Sequence, residues 1–525
     1  MAQLLHDLIL DTARQTPAGL ALRYADNNMD YATLAASVAA CADALLGLGL
    51  QRLDRVAVWL EKREEAVLAM FGAAAAGCAF VPVNPLLKPD QVAHILRDSG
   101  ARVLVTSAAR LAGLELVLGR CPDLRHVIHT GADAPRLAGL EVQDWDGWLR
   151  RGGPHTPHAC VETDMAALLY TSGSSGKPKG VVLSHRNLVA GAQSVAHYLG
   201  NNAHDRLLAV LPLSFDYGLS QLTSAFACGA GVVLMNQLLV RDIPEMVERE
   251  RITALAAVPP LWIQLAALDW RGRHPLRYIT SSGGTLPLPT VAALRERMPR
   301  TAIYLMYGLT EAFRSTYLAP EQLARRPDSI GKAVPNAEVM ALAPDGRRCA
   351  PNEPGELVQR GPLVALGYWN DPVRTATCFR PLAAAPGMPL TETALWSGDT
   401  VRMDEEGYLY FIGRRDETIK TSGYRVSPTE VEEVVYATGL VSEAAAVGVP
   451  HPVLGQAIAL LAVAREGCEL AGAVLLAACR AKLPAYMLPA LVDVRSEALP
   501  RNPNGKIDRR GIGADLSHLF ANVAP

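Results

Sequence analysis

Residues 170–182 read YTSGSSGKPKGVV and follow an apolar run at 166–169. The glycines leave backbone N–H groups exposed. The hydroxyls, with Lys177 and Lys179, add further donors of the kind that hold a polyphosphate. A flexible Gly/Ser surface loop would account for the composition, but not for the strand-like run before it or the embedded lysines. A P-loop requires Gly, four residues, then Gly-Lys-Ser/Thr. Here Thr171 stands five before Gly176, and Gly176-Lys177 is followed by Pro178, which lacks the backbone donor a P-loop helix would need.

Other segments carry groups suited to a nucleotide. Residues 307–311 read YGLTE, where the Thr310 hydroxyl and Glu311 carboxylate suit a hard cation bound mainly by phosphates and water. Residues 396–400 read WSGDT, and a carboxylate such as Asp399 can accept two hydroxyl protons in charge-assisted bonds. Taken singly, each has an ordinary explanation. Glu311 would be a solvated acid and Asp399 a turn residue. Residues 282–285 (SGGT) would be a turn, and residues 502–506 (NPNGK) a surface turn.

Taken in order along nearly the whole chain, these segments closely resemble the adenylate-forming superfamily: acyl-CoA synthetases, stand-alone adenylation domains and firefly-type luciferases. The resemblance implies a phosphate loop of Thr171, Ser172, Gly173, Ser174, Ser175 and Gly176, with Lys179 as its lysine. Ser175 stands where Thr is more usual. Gly283, Gly284 and Thr285 would line the adenine pocket. In the central motif, Tyr307 would pack on adenine beside Gly308, Thr310 would contact the α-phosphate, and Glu311 would help hold Mg²⁺. Asp399 would bind both ribose hydroxyls, Arg414 would contact ribose, and Asp416 would be the pivot of a mobile small domain. In residues 420–425 (KTSGYR), Gly423 would flank a pantetheine tunnel and Arg425 would contact phosphate. Lys506 would enter the active site for adenylation. Residues 356–368 form another family segment, with Leu366 where a small or basic residue is usual, and no function is assigned to it. The run also resembles stand-alone ligases associated with bacterial exosortase systems.

The chemistry this implies is demanding, because a carboxylate is a poor electrophile and both reactants are anions. Lys506, Lys179, Arg425 and Mg²⁺ are the expected sources of positive charge around the α-phosphate. Attack on the α-phosphorus gives acyl-AMP and pyrophosphate; a thiolate then attacks the acyl carbon and AMP leaves. ATP, Mg²⁺ and either CoA or a phosphopantetheine arm are therefore the expected cofactors. The chain ends soon after Lys506, so any acyl carrier protein is expected to act in trans.

Elements able to position such groups are legible in the periodicity. Residues 55–60, 79–83 and 102–106 read as strands, with helices over 64–76 and 89–99 between them. This alternation implies a layered α/β domain with mostly parallel sheets, continuing to about residue 412. Ser427-Pro428-Thr429-Glu430 is a helix start: Ser at the N-cap, Pro at the first helical position and Glu three residues after Ser. Strands at 444–449 and 456–463 and a helix near 471–481 complete a small α+β domain. The expected division is 1–412 for AMP and substrate binding, a hinge at 413–416, and a mobile domain over 417–525. The fold class is thus α/β, a large multi-sheet layered domain followed by a small α+β one.

Composition excludes several alternatives. The 525 residues are 50% hydrophobic and 19% charged, an ordinary globular balance. Fifty basic against 52 acidic residues give a net charge of −2, without the basic footprint of a nucleic-acid binder. The apolar stretch at 70–83 is too short to span a bilayer, so no transmembrane segment is expected. The first residues lack a secretory signal pattern. Nine scattered cysteines, none in a Cys-x-x-Cys pair, read as reduced core thiols of a cytoplasmic protein.

The substrate is less legible. Residues 211–221 read LPLSFDYGLSQ. Ser214-Phe215-Asp216 resembles the segment of amino-acid adenylation domains whose Asp binds the substrate ammonium, whereas Tyr217-Gly218-Leu219 looks like the acyl-CoA ligase version. Asp216 is therefore either a substrate ligand or a cap on the helix that follows. The leading expectation is a ligase that activates a small-molecule carboxylic acid and passes it to CoA or a carrier protein. The alternatives are an amino-acid adenylation enzyme loading a carrier in trans, a luciferase-like oxygenase, and a non-catalytic nucleotide-binding protein.

Overall fold

The computed structural model describes every residue except 1, 172–177, 237–238, 271–273, 383–390, 415–417, 466–467, 469, 502–506, 522 and 524–525; for Arg414 it describes the main chain only. Two large sheets dominate the first three hundred or so residues, as the alternation predicts. One has eight strands. At its centre, Ala79–Pro82, Arg55–Val58 and Ala101–Ser107 run parallel and are largely buried, so they read as near-continuous apolar runs rather than alternating ones. The expected helices appear with the expected bounds, Glu64–Ala76 and Pro89–Ser99. The first is apolar almost all round because it is buried almost all round. The second starts on a Pro and stops at Gly100, whose φ of +61° takes the chain out of the helix.

The other sheet has nine strands, and six of them, Leu20–Tyr24, Gly231–Leu234, Arg206–Ala209, Ala254–Ala257, Tyr278–Ser281 and Ala302–Tyr307, pair in parallel. One continuous core runs between the two sheets. Phe226, fully buried, packs edge-on against Phe71 at 5.4 Å and Tyr31 at 6.1 Å.

The expected alternation does not reach residue 412. Beyond Tyr307 the pairings turn antiparallel, and Glu338–Leu342, Gly355–Arg360, Phe379–Pro381, Thr393–Met403 and Leu409–Arg414 form a separate, wholly antiparallel sheet. The connections explain the change. A parallel crossover needs a dozen or more residues, usually a helix, whereas Met403 and Leu409 are joined by a tight turn through Gly407 at φ +82°.

The last sheet begins at Ile419. Tyr424–Val426, Ile419–Thr421, Gly455–Ala464 and Val441–His451 pair antiparallel, and Leu491–Arg495 adds a parallel edge. Helices Pro428–Tyr436 and Gly472–Lys482 belong to this unit, with buried Val431, Val435, Leu475 and Cys479 in its core. Ser427 does occupy the N-cap position before Pro428, but its hydroxyl makes no cap bond and has no partner among the described residues. Glu430 does not reach back to it, because its carboxylate accepts a 2.9 Å bond from Gln91 of the large unit instead. All nine cysteines are free thiols, but only Cys41, Cys78, Cys121 and Cys479 are buried, so the core reading fits four of them. Among the described residues no helix is long and apolar enough to cross a membrane.

Phe226 offers a direct test of the shared core. Phe226→Ala should cost about 3–5 kcal/mol in urea unfolding of the large unit, the range for an aromatic truncated in a packed interior. A loss under about 1 kcal/mol would show that the two sheets are not packed through this ring.

Candidate functional site

The strands Tyr278–Ser281 and Ala302–Tyr307 are parallel neighbours, so the loops leaving their carboxyl ends lie side by side. In open α/β sheets, that end is where ligands bind. One loop carries Ser282, Gly283, Gly284 and Thr285; the other carries Gly308, Thr310 and Glu311. The glycine-rich segment sits in a third position. It is the connection of an antiparallel hairpin, Met165–Thr171 with Lys179–Ser184, in which Thr171 pairs with Lys179. A strand, not a helix, follows it, which is the structural counterpart of its failure to match a P-loop. Ser172, Gly173, Ser174, Ser175 and Gly176 lie outside the described residues. Lys179 does not, and its buried Nζ has no partner among the described residues. A buried ammonium with no partner among the described residues, next in sequence to a glycine-rich segment, suits a phosphate.

Asp399 is fully buried and accepts a hydrogen bond from the Tyr307 hydroxyl. The residues expected to serve ribose and adenine therefore form one unit in this arrangement. Asp399 also lies directly across the ladder from Arg414, so its strand pair presents both expected ribose contacts at one level. Asp416 and Lys506 lie outside the described residues.

The small unit completes the site through one hairpin, Ile419–Thr421 with Tyr424–Val426. Its turn carries Gly423 at φ +81°, and a Cβ there would lie 2.7 Å from the Val258 side chain of the large unit. Both a left-handed backbone and a close approach thus require glycine. Two residues on, Arg425 reaches Glu311, with Nη1 to Oε2 at 3.6 Å. Burial works against the charged guanidinium, but Glu311, Asp399, Tyr307 and Asp216 outweigh it and raise the Arg425 pKa. Thr171, Asp216, Gly283, Gly308, Thr310 and Arg425 line one cavity of about 110 Å³. Gly423, Gly283, Gly284 and Thr285 also line a larger, more open channel of about 730 Å³ between the units.

Two residues that the sequence reading passed over belong here. Tyr368 donates a 2.8 Å hydrogen bond to Glu311, which helps fix the carboxylate. Arg314, 1% exposed, pairs with Asp216 at 3.0 Å. This changes the account of Asp216. The N-cap of helix Asp216–Phe226 is Phe215, with no side-chain cap bond, so Asp216 is the first helical residue and not its cap. Its carboxylate already has a cationic partner within the chain. Burial pushes the Asp216 pKa up, and Arg314 and Arg425 only partly offset that. The signal for Arg314 was available: a cation three residues after Glu311 in an otherwise uncharged run.

Mg²⁺ prefers few protein ligands and many phosphate and water oxygens. Glu311 fits that demand, offering one partly exposed carboxylate held by Tyr368, and among the described residues no cluster of three or more potential ligands competes with it.

Comparison with known proteins agrees with this geometry. A family model described as AMP-binding enzyme matches residues 9–369, and one described as AMP-binding enzyme C-terminal domain matches 430–506. The chain is 34% identical to an L-proline–[L-prolyl-carrier protein] ligase of Streptomyces coelicolor, covering 96% of this chain and 95% of that one. It is 32% identical to a long-chain-fatty-acid–CoA ligase of Salmonella typhimurium, covering 91% and 88%. Among solved structures, it matches an o-succinylbenzoate CoA synthetase from Bacillus subtilis, a double mutant bound with its product analogue OSB-NCoA, at 28% identity. That match has a TM-score of 0.83 and covers 97% of this chain and 98% of that one. The same enzyme in complex with AMP gives a TM-score of 0.68 over 96% and 97%.

Glu430, which lines the smaller cavity and bridges the units through Gln91, supplies a pH test. Burial raises its pKa from 4.5 to about 7, against the opposing hydrogen bond from Gln91. A raised carboxyl pKa favours the native state below the unfolded value, and that advantage is lost as pH climbs through the native one. Glu430→Gln should therefore raise the Tm over wild type at pH 8, by up to about 3 kcal/mol of stability, and change it little at pH 5. An equal effect at both pH values would contradict a buried, titrating Glu430.

Proposed function

Because the chain belongs to the AMP-binding enzyme family, we propose that it activates a carboxylic acid with ATP and transfers the acyl group to the thiol of CoA or of a carrier-bound phosphopantetheine. The observation that carries this reading is the meeting of two routes at one hairpin. Gly423 borders both the cavity containing Thr310 and Arg425 and the open channel between the units. An acyl-phosphate mixed anhydride formed at Thr310 would lie at the inner end of a path that a pantetheine arm could follow.

In the first half-reaction, a carboxylate oxygen attacks the α-phosphorus, and the bond from that phosphorus to the bridging oxygen of pyrophosphate breaks. Thr310 is proposed to hold an α-phosphate oxygen, Lys179 the outer phosphates and Asp399 the ribose hydroxyls. Gly283, Gly284, Thr285 and Tyr307 are proposed to form the wall for adenine. Glu311 is the residue that would hold Mg²⁺, which when bound neutralises triphosphate charge. Lys506 is proposed to supply the cation between carboxylate and α-phosphate. In the second half-reaction, a thiolate attacks the acyl carbon, the carbon–oxygen bond to AMP breaks, and AMP leaves. We propose that the small domain pivots near 413–416 between the two, about Asp416, with Arg414 following the ribose.

The arrangement described here corresponds to the second half-reaction on this reading. In support, the Bacillus synthetase superposes better in its product-analogue complex than in its AMP complex, and Gly423 is packed against Val258 at the channel. A cytoplasmic setting belongs to the same reading and is supported by nine cysteines that all remain free thiols. Amino-acid activation, with a carrier protein as acceptor in trans, is the second reading; similarity to a prolyl-carrier ligase favours it.

The governing experiment is ATP-dependent pyrophosphate release with a panel of carboxylic and amino acids, followed by thioester detection on adding CoA or a phosphopantetheinylated carrier. Release with no acid in the panel would overturn the assignment. Lys506→Ala should lower acyl-AMP formation by about 10²–10³ and spare thioester formation from supplied acyl-AMP. Equal loss in both steps would point to general destabilisation. Gly423→Leu should do the reverse, lowering thiol transfer far more than pyrophosphate release, because strain at its left-handed backbone bears on both steps whereas collision with Val258 arises only when the units are docked as here. Unchanged thioester output from that variant would refute the channel.

A further inference from the structure

Arg314 is a buried, closely held cation that the proposed reaction does not use. Its Nη1 donates to Asp216 Oδ2 at 3.0 Å and to the Phe313 carbonyl at 2.7 Å. Its Nε and Nη2 are buried and have no acceptor among the described residues. A guanidinium carries five N–H donors, so one edge of this one is satisfied and the other is not. Leaving buried donors unpaired is costly, yet the surroundings fix this residue with unusual care.

The backbone just before it is strained. Phe313 has φ +53° and ψ −50°, and the Arg314 N–H bonds the Ala312 carbonyl at 2.5 Å, a γ-turn of the rare positive-φ kind. Non-glycine residues persist there only when their neighbours enforce it. Phe313 is fully buried and packed so tightly on Gly191 that a Cβ at that glycine would lie 2.4 Å from the ring. Gln359 clamps the Arg314 carbonyl at 2.9 Å. The guanidinium lies over the Tyr217 ring at 4.8 Å, and the Tyr217 hydroxyl is itself tied to Thr280 at 2.5 Å.

The location gives this device a direction. Arg314 and Tyr217 line both the cavity that holds Thr310 and a second, smaller cavity of about 20 Å³ behind it. Ser220, Gln221, Ser224 and Thr280 also line the inner cavity, and the Gln221 side-chain oxygen is buried with no partner among the described residues. Val195, Leu199, Leu207, Leu255 and Met306 line the rest of that cavity, so an acyl chain lying with its reacting carboxylate at Thr310 and turned inward would meet the Arg314 cation in an otherwise largely apolar recess.

We propose that Arg314 is a specificity-determining residue that binds an oxygen acceptor on the distal end of a short acyl substrate. On this proposal, which rests on the adenylation reading above, the substrate class is a compact acid bearing a second carboxylate or a carbonyl. The free Nε–Nη2 edge is the planar fork that such oxygens match. Long unbranched fatty acids are disfavoured because a methyl-ended chain leaves the fork unpaired. Substrates that need an ammonium site are disfavoured because Asp216 is already engaged and the neighbouring charge is positive.

The test uses matched acids of three to eight carbons whose distal group is carboxylate, carboxamide, methyl or ammonium, with kcat/KM read from pyrophosphate release. The oxygen-bearing acids should exceed their methyl and ammonium partners by at least about tenfold, since a polar site rejects analogues that leave it unpaired. The paired variant Asp216→Val with Arg314→Met removes both charges together, so no lone buried ion remains. It should keep a near-native Tm and invert the preference toward the methyl-ended acids, chiefly through KM. A wild type that favours methyl or ammonium partners, or a folded double variant with an unchanged ranking, would overturn the acceptor site while leaving adenylation intact. Failure of every acid to release pyrophosphate would bring down both readings together.

Discussion

The site depends on one largely buried cation that comes from the small unit. Arg425, on a hairpin of the small unit, lies 3.6 Å from Glu311 and close enough to Asp399 and Asp216 for their charges to hold its proton. Carboxylates gathered in a low-dielectric pocket repel one another and are expensive to keep ionised. Docking of the small unit delivers the charge that makes the cluster tolerable. Undocking removes it and leaves that role to other positive charge. The electrostatics of the pocket and the position of the small unit are therefore a single variable, and a change in what occupies the pocket changes which docking is favoured.

Close packing makes that variable discrete. The turn at Gly423 meets Val258 with no room for a Cβ, Lys482 pairs with Asp90 at 3.1 Å, and Glu430 bonds Gln91 across the boundary. These contacts hold only in one relative placement, so the small unit is built to sit fully home or to leave. Behind them the large unit is rigid: Tyr368 braces Glu311, and the γ-turn at Phe313 braces Arg314. The mobile part carries charge to a fixed receptacle, an order that suits two consecutive reactions at one carbon.

Much of this was legible in the sequence because it is written locally. Strand and helix bounds such as 64–76 and 89–99 follow from apolar runs stopped by Gly and Pro, and the motif residues follow from their types and order. The antiparallel turn of the chain after Tyr307 was not legible, since short apolar strands look alike whichever way they pair and only the connection lengths distinguish them. The cap at Ser427 was misread because Glu430, local in sequence, found a better partner 339 positions away. Asp216 illustrates the same limit. Its type marked it as a pocket residue, but its meaning depends on Arg314, brought to it by a strained turn that no periodicity announces. Lys506 and Asp416, the residues on which the resemblance places most weight, lie outside the described residues, so their roles rest on the family pattern alone.

The central claim is that one pocket serves two reactions through two placements of the small unit. Spin labels carried on non-natural residues at Leu116 and Val474, both exposed and one on each unit, would report it directly by pulsed dipolar spectroscopy. With a non-hydrolysable acyl-AMP analogue and a thiol, the distance should match the arrangement described here. With a non-hydrolysable ATP analogue and an acid, a second, separate distance should dominate. A single distribution, unmoved by either set of ligands, would contradict the account.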